Sequence, residues 1–397
     1  MVRTVLAFGV AVLLGTRIQV VQTLHPGALL AMAAVPFWWS ASRRFRGARA
    51  IIALSVVMAG SGYWLTEFAR ATHSVSTVLQ TQQTLLVLSI AAMIGMFLWL
   101  RTSAPEWLLT LGFGVGMLGT TVLLSDGLGD NPWKFGYAVP TALIALSIAH
   151  RIGGFALQAV AALLLAGVSA VQDSRSAFGL FVLTAMLLLF QLKPVKPGRR
   201  KSALRTAVGL ALTAVVIFQL GQAAVLEGAL GEATRERSER QVEQSGSLLL
   251  GSRPEAAATV ALLVARPFGY GSGTLPNLDD LRVAKTGQSE IGYNPDNGYV
   301  DHYMFGLGYE VHSILGDYWI RFGLPGLAFV LLLVTLLVRG IAQRLAESNA
   351  SGVALFVGAQ TLWSVLFSPI FASAPLLVVA VATLLAPRAP RTLDQGP

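Results

Sequence analysis

The sequence predicts an all-α polytopic membrane protein. It reads as about twelve transmembrane helices, with a large extracytoplasmic loop containing short helices between spans nine and ten. Three observations predict this. Of 397 residues, 54% are hydrophobic and only 12% charged, with mean hydropathy +0.64, whereas soluble domains carry about 25% charged residues. Apolar runs of spanning length recur along the chain. Basic residues fall in alternate connections between those runs. This composition excludes an ordinary soluble enzyme, a disordered chain and a nucleic-acid binder. The absence of Cys removes disulfide scaffolds, cysteine nucleophiles and thiolate metal sites together.

The predicted spans are 4–21, 27–41, 50–66, 83–100, 106–125, 137–149, 153–171, 176–192, 206–226, 314–338, 352–370 and 374–387. The first run lacks a small-residue cleavage site and leads straight into a second apolar run. It therefore reads as a span and not as a cleaved signal. Segments 1–226 form an N-terminal transmembrane bundle of about nine spans, 227–313 the extracytoplasmic loop, 314–387 the C-terminal spans and 388–397 a cytoplasmic tail.

Charge orients these spans. With the N-terminus inside, the inner connections and termini hold 17 basic residues, including Arg43, Arg44, Arg46, Arg49, Arg101, Arg344 and Arg388. The short outer loops hold only Arg70, Lys134 and Arg175. Positive charge lies inside along the whole chain, which puts both termini in the cytoplasm. The net charge of +9 is thus mostly topology. These basic residues are scattered over separate turns and line no single face, so no nucleic-acid partner is expected.

The connection 227–313 breaks the pattern of short loops. It carries seven basic and twelve acidic residues, and loops of this length are functional or disordered as a rule. Residues 227–244 read as a charged surface helix. Residues 254–265 read as an apolar helix with Pro254 in its first turn. A glycine-rich turn, RPFGYGSG, follows at 266–273. Residues 292–309, rich in Gly, Tyr, Asn and Asp, read as irregular.

Ionisable groups at membrane depth are costly and point to function. Arg175 sits in DSRS between spans seven and eight. It reads either as a turn residue paired with Asp173 or as an anion-binding guanidinium, whose planar fork suits phosphate. Arg253 opens the 254–265 helix. There it reads either as a cap-region partner of Glu255 or as one wall of a phosphate site at a helix N-terminus. His312 lies where the long loop enters span ten. It reads either as an interfacial residue or as the base that takes a proton from a hydroxyl. Below it, Asp317 and Arg321 have i,i+4 spacing and read first as a neutralising pair. Gly323, Pro325 and Gly326 predict a kink or close packing in span ten. His25, His73, His150 and His302 show no metal-ligand spacing; Asp301 and His302 are a possible pair. No nucleotide fingerprint is present. No metal and no cofactor are expected.

Taken together, SRSAFGLFVL (174–183), SRPEAAATVALLVARPFGYGSG (252–273) and VHSILGDYWIRFGLPGL (311–327) resemble the O-antigen ligase and O-antigen polymerase superfamily. The resemblance covers about the last 55% of the chain. It implies a GT-C-like membrane glycosyltransferase of the cytoplasmic membrane that needs no metal. The donor would be a glycan on a polyprenyl diphosphate, and the acceptor a glycan, lipid or wall-polymer hydroxyl at the outer face. Arg175 and Arg253 match the arginines assigned to the diphosphate, and His312 matches the histidine assigned to acceptor activation. Arg266, beside the glycine turn, is a further candidate. The chain departs from the pattern at Ser313, where Asn is commoner, and at Arg266, where His is commoner. Tyr270, Tyr293, Asn297, Tyr299 and Trp319 are candidates for sugar contact. A twelve-span secondary transporter and a non-catalytic scaffold for cell-envelope assembly stand as alternatives. Carriers of the first kind commonly show two related halves; the second requires Arg175, Arg253 and His312 to be incidental.

Overall fold

The computed structural model describes residues 2–192, 209 and 254–388. Among these residues all regular structure is helical, apart from three isolated β-bridges. The helices are α1 (Val2–Gly15), α2 (Pro26–Ala33), α3 (Val35–Ser42), α4 (Ala48–Ala69), α5 (Thr77–Leu100), α6 (Glu106–Leu123), α7 (Ala138–Ile152), α8 (Phe155–Val171) and α9 (Arg175–Gln191). From residue 254 onward come α10 (Pro254–Ala265), α11 (Leu278–Glu290), α12 (Ile314–Ala346), α13 (Gly352–Phe367) and α14 (Ile370–Leu384). Each predicted apolar run overlaps helix, except 206–226, of which only Gly209 is described, and the predicted 227–244 helix lies outside the described residues. The stretches α4, α5, α6, Trp133–Ile152 and α12 are long and apolar enough to cross a membrane. The chain is a helical membrane protein.

Two runs differ from expectation for local reasons. The run 4–21 stops being helical at Gly15. Gly15 abuts α6 so closely that a Cβ would lie 2.0 Å from the Phe113 carbonyl, and the chain then turns back through Gln22 at φ +52. The run 27–41 is two helices broken at Ala34: Pro36 has no N–H to give the Met32 carbonyl and its ring crowds that carbonyl, so one helix ends there and Pro36 sits in the first turn of the next.

Small residues set the packing. A Cβ on Gly116 would sit 2.0 Å from the Val12 carbonyl, so α1 and α6 meet backbone to backbone, as small residues permit within membranes. These two helices run parallel: Phe8 lies beside Gly112, Val12 beside Gly116, and the Arg17 N–H donates to Thr120 Oγ1. In contrast, α9 and α13 run antiparallel. Phe181 stacks on Phe356 with ring centroids 4.7 Å apart, and Gln191 exchanges hydrogen bonds with the Ala350 backbone.

The two ends of the bundle differ chemically. At one end Glu106 receives Arg344 at 2.7 Å and Arg101 at 3.2 Å. The same two arginines donate to carbonyls at the C-terminus of α14, Thr383 for Arg344 and Ala382 and Leu385 for Arg101, where a helix favours cations. The Arg388 N–H donates to the Arg44 carbonyl, which brings the chain end beside the α3–α4 turn.

The other end carries a cap built from α10, α11 and the segment 291–313. It has its own core of Ala258, Leu262, Tyr270, Ala284, Val300, Met304, Tyr309 and Val311, which continues into Trp319 and Ile320 of α12. Residues 254–265 are helical and 266–273 form an irregular turn, as the sequence predicts. Helix α11 is an element that the apolar pattern does not mark. Its signal is a capping box in which Asn277 accepts from the N–H groups of Asp279 and Asp280 while Asp280 accepts from the Asn277 N–H. Residues 292–309 are irregular except for one π-helical turn, Tyr299–Met304.

Span ten is broken as expected. Gly323 takes φ +60, ψ −140 inside α12, two residues before Pro325. The break frees carbonyls that other groups then satisfy. The N–H groups of Tyr270 and Gly271 donate to the Ile320 carbonyl at 2.7 and 3.1 Å, and Ser61 donates to that of Phe322 at 2.9 Å. The glycine turn thereby docks onto α12 and α4. At Gly271, φ is +109 and a Cβ would meet the Thr66 backbone N at 2.4 Å, so only glycine serves there.

Candidate functional site

His312 is positioned by backbone and ring contacts together. Ser313 is the N-cap of α12, its Oγ accepting from the Gly316 N–H at 3.0 Å. His312 precedes the cap in the left-handed region, φ +56, a conformation that costs a residue with a Cβ about 1–2 kcal/mol. That turn brings its Nδ1 within 2.9 Å of the Glu310 carbonyl. A carbonyl only accepts, so Nδ1 carries a proton, and Nε2 is the ring nitrogen left to present a lone pair. Nε2 has no hydrogen bond among the described residues. Ser and Asn are near-equivalent N-caps, so the departure at Ser313 preserves the local structure that holds the histidine.

The His312 ring stacks on Tyr303, with centroids 4.4 Å apart and planes 11° apart. Tyr303 in turn meets Tyr299 at 5.1 Å, and Tyr299 meets Tyr293 at 6.1 Å. Tyr303 is 57% exposed, while Tyr293 and Tyr299 are half-buried. The Tyr299 hydroxyl donates to buried Glu255 at 3.0 Å. Burial, and then the Glu255 charge, push that phenol well above its ordinary range, so it acts as a donor.

Beneath this row, Asp317 and Arg321 form the expected pair, Nη1 to Oδ1 at 3.4 Å. They also do more. Asp317 accepts from the Val311 N–H at 3.3 Å and from the Ile370 N–H at 2.8 Å, and Arg321 donates to the Tyr309 carbonyl at 2.8 Å. The two residues thus fix both sides of residue 310, whose carbonyl holds the His312 ring, and join it to the start of α14. Their contacts make them positioning residues.

Arg266 is engaged in a network the sequence did not reveal. It donates to His73 Nδ1 and to Thr72 Oγ1, each at 3.2 Å, and lies over the Tyr270 ring. An arginine only donates, so His73 accepts at Nδ1 and donates through Nε2 to Asp280 at 3.0 Å. Asp280 also accepts from Tyr309 at 2.6 Å. His73 and Asp280 lie 207 residues apart, and no spacing rule joins them. Asp301 pairs with Lys285 at 3.0 Å and His302 is exposed, so an ion pair stands where the sequence offered an Asp301–His302 contact.

Two candidates for sugar contact are corrected. Tyr270 is 1% and Trp319 2% exposed. Both belong to the cap core, Trp319 donating to the Pro267 carbonyl at 3.0 Å. Their rings supply burial that the small cap needs, leaving no face for a ligand. Asn297 accepts from the Tyr299 N–H at 2.9 Å and shapes the π-helical turn.

Arg175 is the first residue of α9 and is half-buried. Because α9 and α13 are antiparallel, it lies at the end of the bundle where α13 finishes, close in sequence to Ile370, which binds Asp317. Arg175 and His312 therefore occupy the same end. Arg253 lies outside the described residues, immediately before α10.

No known family pattern, curated protein or solved structure matches this chain.

Proposed function

We propose that this protein is a membrane glycosyltransferase of the O-antigen ligase or polymerase type. In this reading it transfers a polyprenyl-diphosphate-linked glycan to an acceptor hydroxyl on the outer face of a bacterial cytoplasmic membrane. The observation that carries the proposal is the state of His312. Its Nδ1 is committed to the Glu310 carbonyl, its Nε2 is available, and a row of tyrosines leads away from its ring. A base needs an oriented ring and an accessible lone pair, and sugar rings stack on aromatic faces. The cap holding this arrangement sits opposite the arginine-rich end of the bundle, which supports an outward-facing site.

In the proposed reaction, the acceptor oxygen attacks C1 of the donor sugar. The C1–O bond to the diphosphate breaks, and the polyprenyl diphosphate leaves with its electron pair. His312 Nε2 takes the acceptor proton. Arg175 and Arg253 offset the negative charge that grows on the leaving group. A single displacement inverts the anomeric centre.

The test is glycan transfer by the purified protein in detergent with EDTA, using a polyprenyl-diphosphate glycan as donor. Wild type is expected to release polyprenyl diphosphate, and His312→Ala to lose about 100-fold or more in rate while still inserted and folded. Extension of lipid-linked chains alone identifies a polymerase, and loading of a different acceptor identifies a ligase. Product with the donor's anomeric configuration refutes direct displacement. No transfer with any donor and acceptor by folded wild type returns the transporter and scaffold readings to the front.

A further inference from the structure

At the arginine-rich end, one group of charges has no counter-charge among the described residues. Arg49 lies in the first turn of α4, and its guanidinium packs over the Trp39 ring, 5.1 Å from the centroid. Its Nε and Nη2 atoms are enclosed, yet among the described residues they have no hydrogen-bond partner. Arg43 and Arg388 are near enough to repel it. Among the described residues no carboxylate reaches these three arginines, since Glu106 is occupied by Arg101 and Arg344. The first-turn amides of α4 add further positive potential at this point. A half-buried guanidinium with two enclosed and unsatisfied nitrogens, beside two like charges and a helix N-terminus, is unfavourable unless an anion sits there.

The surroundings define the anion. Arginine nitrogens on a fork match phosphate oxygens in a two-point contact. Trp39 is 43% exposed and Phe37 66% exposed on the same short helix, α3. Partly exposed tryptophan next to arginine is what a protein presents at headgroup level. Clustered arginines beside membrane helices bind anionic lipid headgroups. We propose that Arg49, with Arg43 and Arg388, holds the phosphate of an anionic phospholipid headgroup, so that the lipid completes the packing of α3, α4 and the chain end. The site lies at the opposite end of the bundle from His312 and does not depend on the glycosyltransferase reading.

The test uses delipidated full-length protein in detergent, titrated with phosphatidylglycerol, phosphatidylcholine or inorganic phosphate, with bound lipid read by native mass spectrometry. Wild type is expected to bind phosphatidylglycerol about tenfold or more tighter than phosphatidylcholine, and Arg49→Gln to lose most of that preference. Arg3→Gln removes an equal charge at the exposed start of α1, at the same end, and is expected to change binding less than about twofold. If Arg49→Gln does not accumulate, exposed Arg388→Gln reads the same site. Equal binding of the two lipids, or unchanged binding by the Arg49 and Arg388 variants, overturns the proposal. Full displacement of phosphatidylglycerol by millimolar inorganic phosphate overturns the lipid assignment in favour of a free-anion site.

Discussion

Replacing Asp317 by Asn removes one charge and one acceptor from the point where α12, α14 and the His312 segment meet. The carboxylate is 1% exposed. Its Oδ1 accepts from Val311 and faces Arg321, and its Oδ2 accepts from Ile370. An amide keeps one accepting oxygen and turns an NH2 group toward the other backbone N–H. One buried donor is then left unpaired, at a cost of about 1–3 kcal/mol. Arg321 keeps its bond to the Tyr309 carbonyl but loses its counter-charge. Breaking a buried ion pair from one side costs about 3–5 kcal/mol. The single 3.4 Å contact and an Arg321 side chain that is 11% exposed put this pair at the low end. The expected loss is about 4 kcal/mol in all. Unfolding in mixed detergent micelles measures it. Arg321→Gln in the Asp317→Asn background should restore part of the loss, because no unpaired charge remains, giving a coupling energy of about 1–3 kcal/mol. A loss for Asp317→Asn below about 1 kcal/mol, or strict additivity in the double variant, refutes the anchoring argument.

Three further outcomes are expected. Gly323→Ala should destabilise by about 3 kcal/mol, since the residue holds φ +60 and its Cβ would lie 2.3 Å from the Phe268 carbonyl; an unchanged unfolding midpoint would contradict the docking of the glycine turn. His25, in the α1–α2 connection, has its pKa lowered from 6.5 to about 4 by burial and then by the Arg17 charge. The folded state thus favours the neutral ring. Its contribution of about 3 kcal/mol is present above pH 6.5 and lost as the pH falls from 6.5 through 4; a pH titration of stability should flatten over that window in His25→Gln. Arg253→Lys should slow glycan transfer about tenfold or more, because an ammonium lacks the bidentate fork; normal turnover by that variant would make Arg253 a simple point charge or a structural residue.

Much of the architecture was written in local composition. A bilayer leaves backbone groups no water, so a chain crosses it as helix or closed barrel, and a continuous apolar run of about 20 residues fits the helix. That rule located α4, α5, α6, α12 and their shorter neighbours without reference to any contact. Pro254 marked the start of α10, and Gly323 with Pro325 marked the break in α12, because both depend on backbone chemistry within a few residues. Asp317 and Arg321 were legible as a pair because a helix places i and i+4 side by side. His312 was legible as a candidate because a histidine at the edge of a span is chemically conspicuous.

Tertiary structure alone decided what those residues touch. The bond from Asp317 to Ile370 spans 53 residues, and the His73–Asp280 and Arg266–His73 contacts span about two hundred. Tyr270 and Trp319 look like Tyr293 and Tyr303 in composition, yet the first two fill the cap core while the latter stay at its surface. The early end of α1 and the split at Ala34 followed from a backbone approach and a proline that hydropathy does not weigh. The unpaired Arg49 was invisible in the sequence, where it is one of several inner arginines. Hydropathy and capping act within a helical turn, so sequence carries them. Burial, ion pairing and proton placement depend on which distant segments the fold brings together.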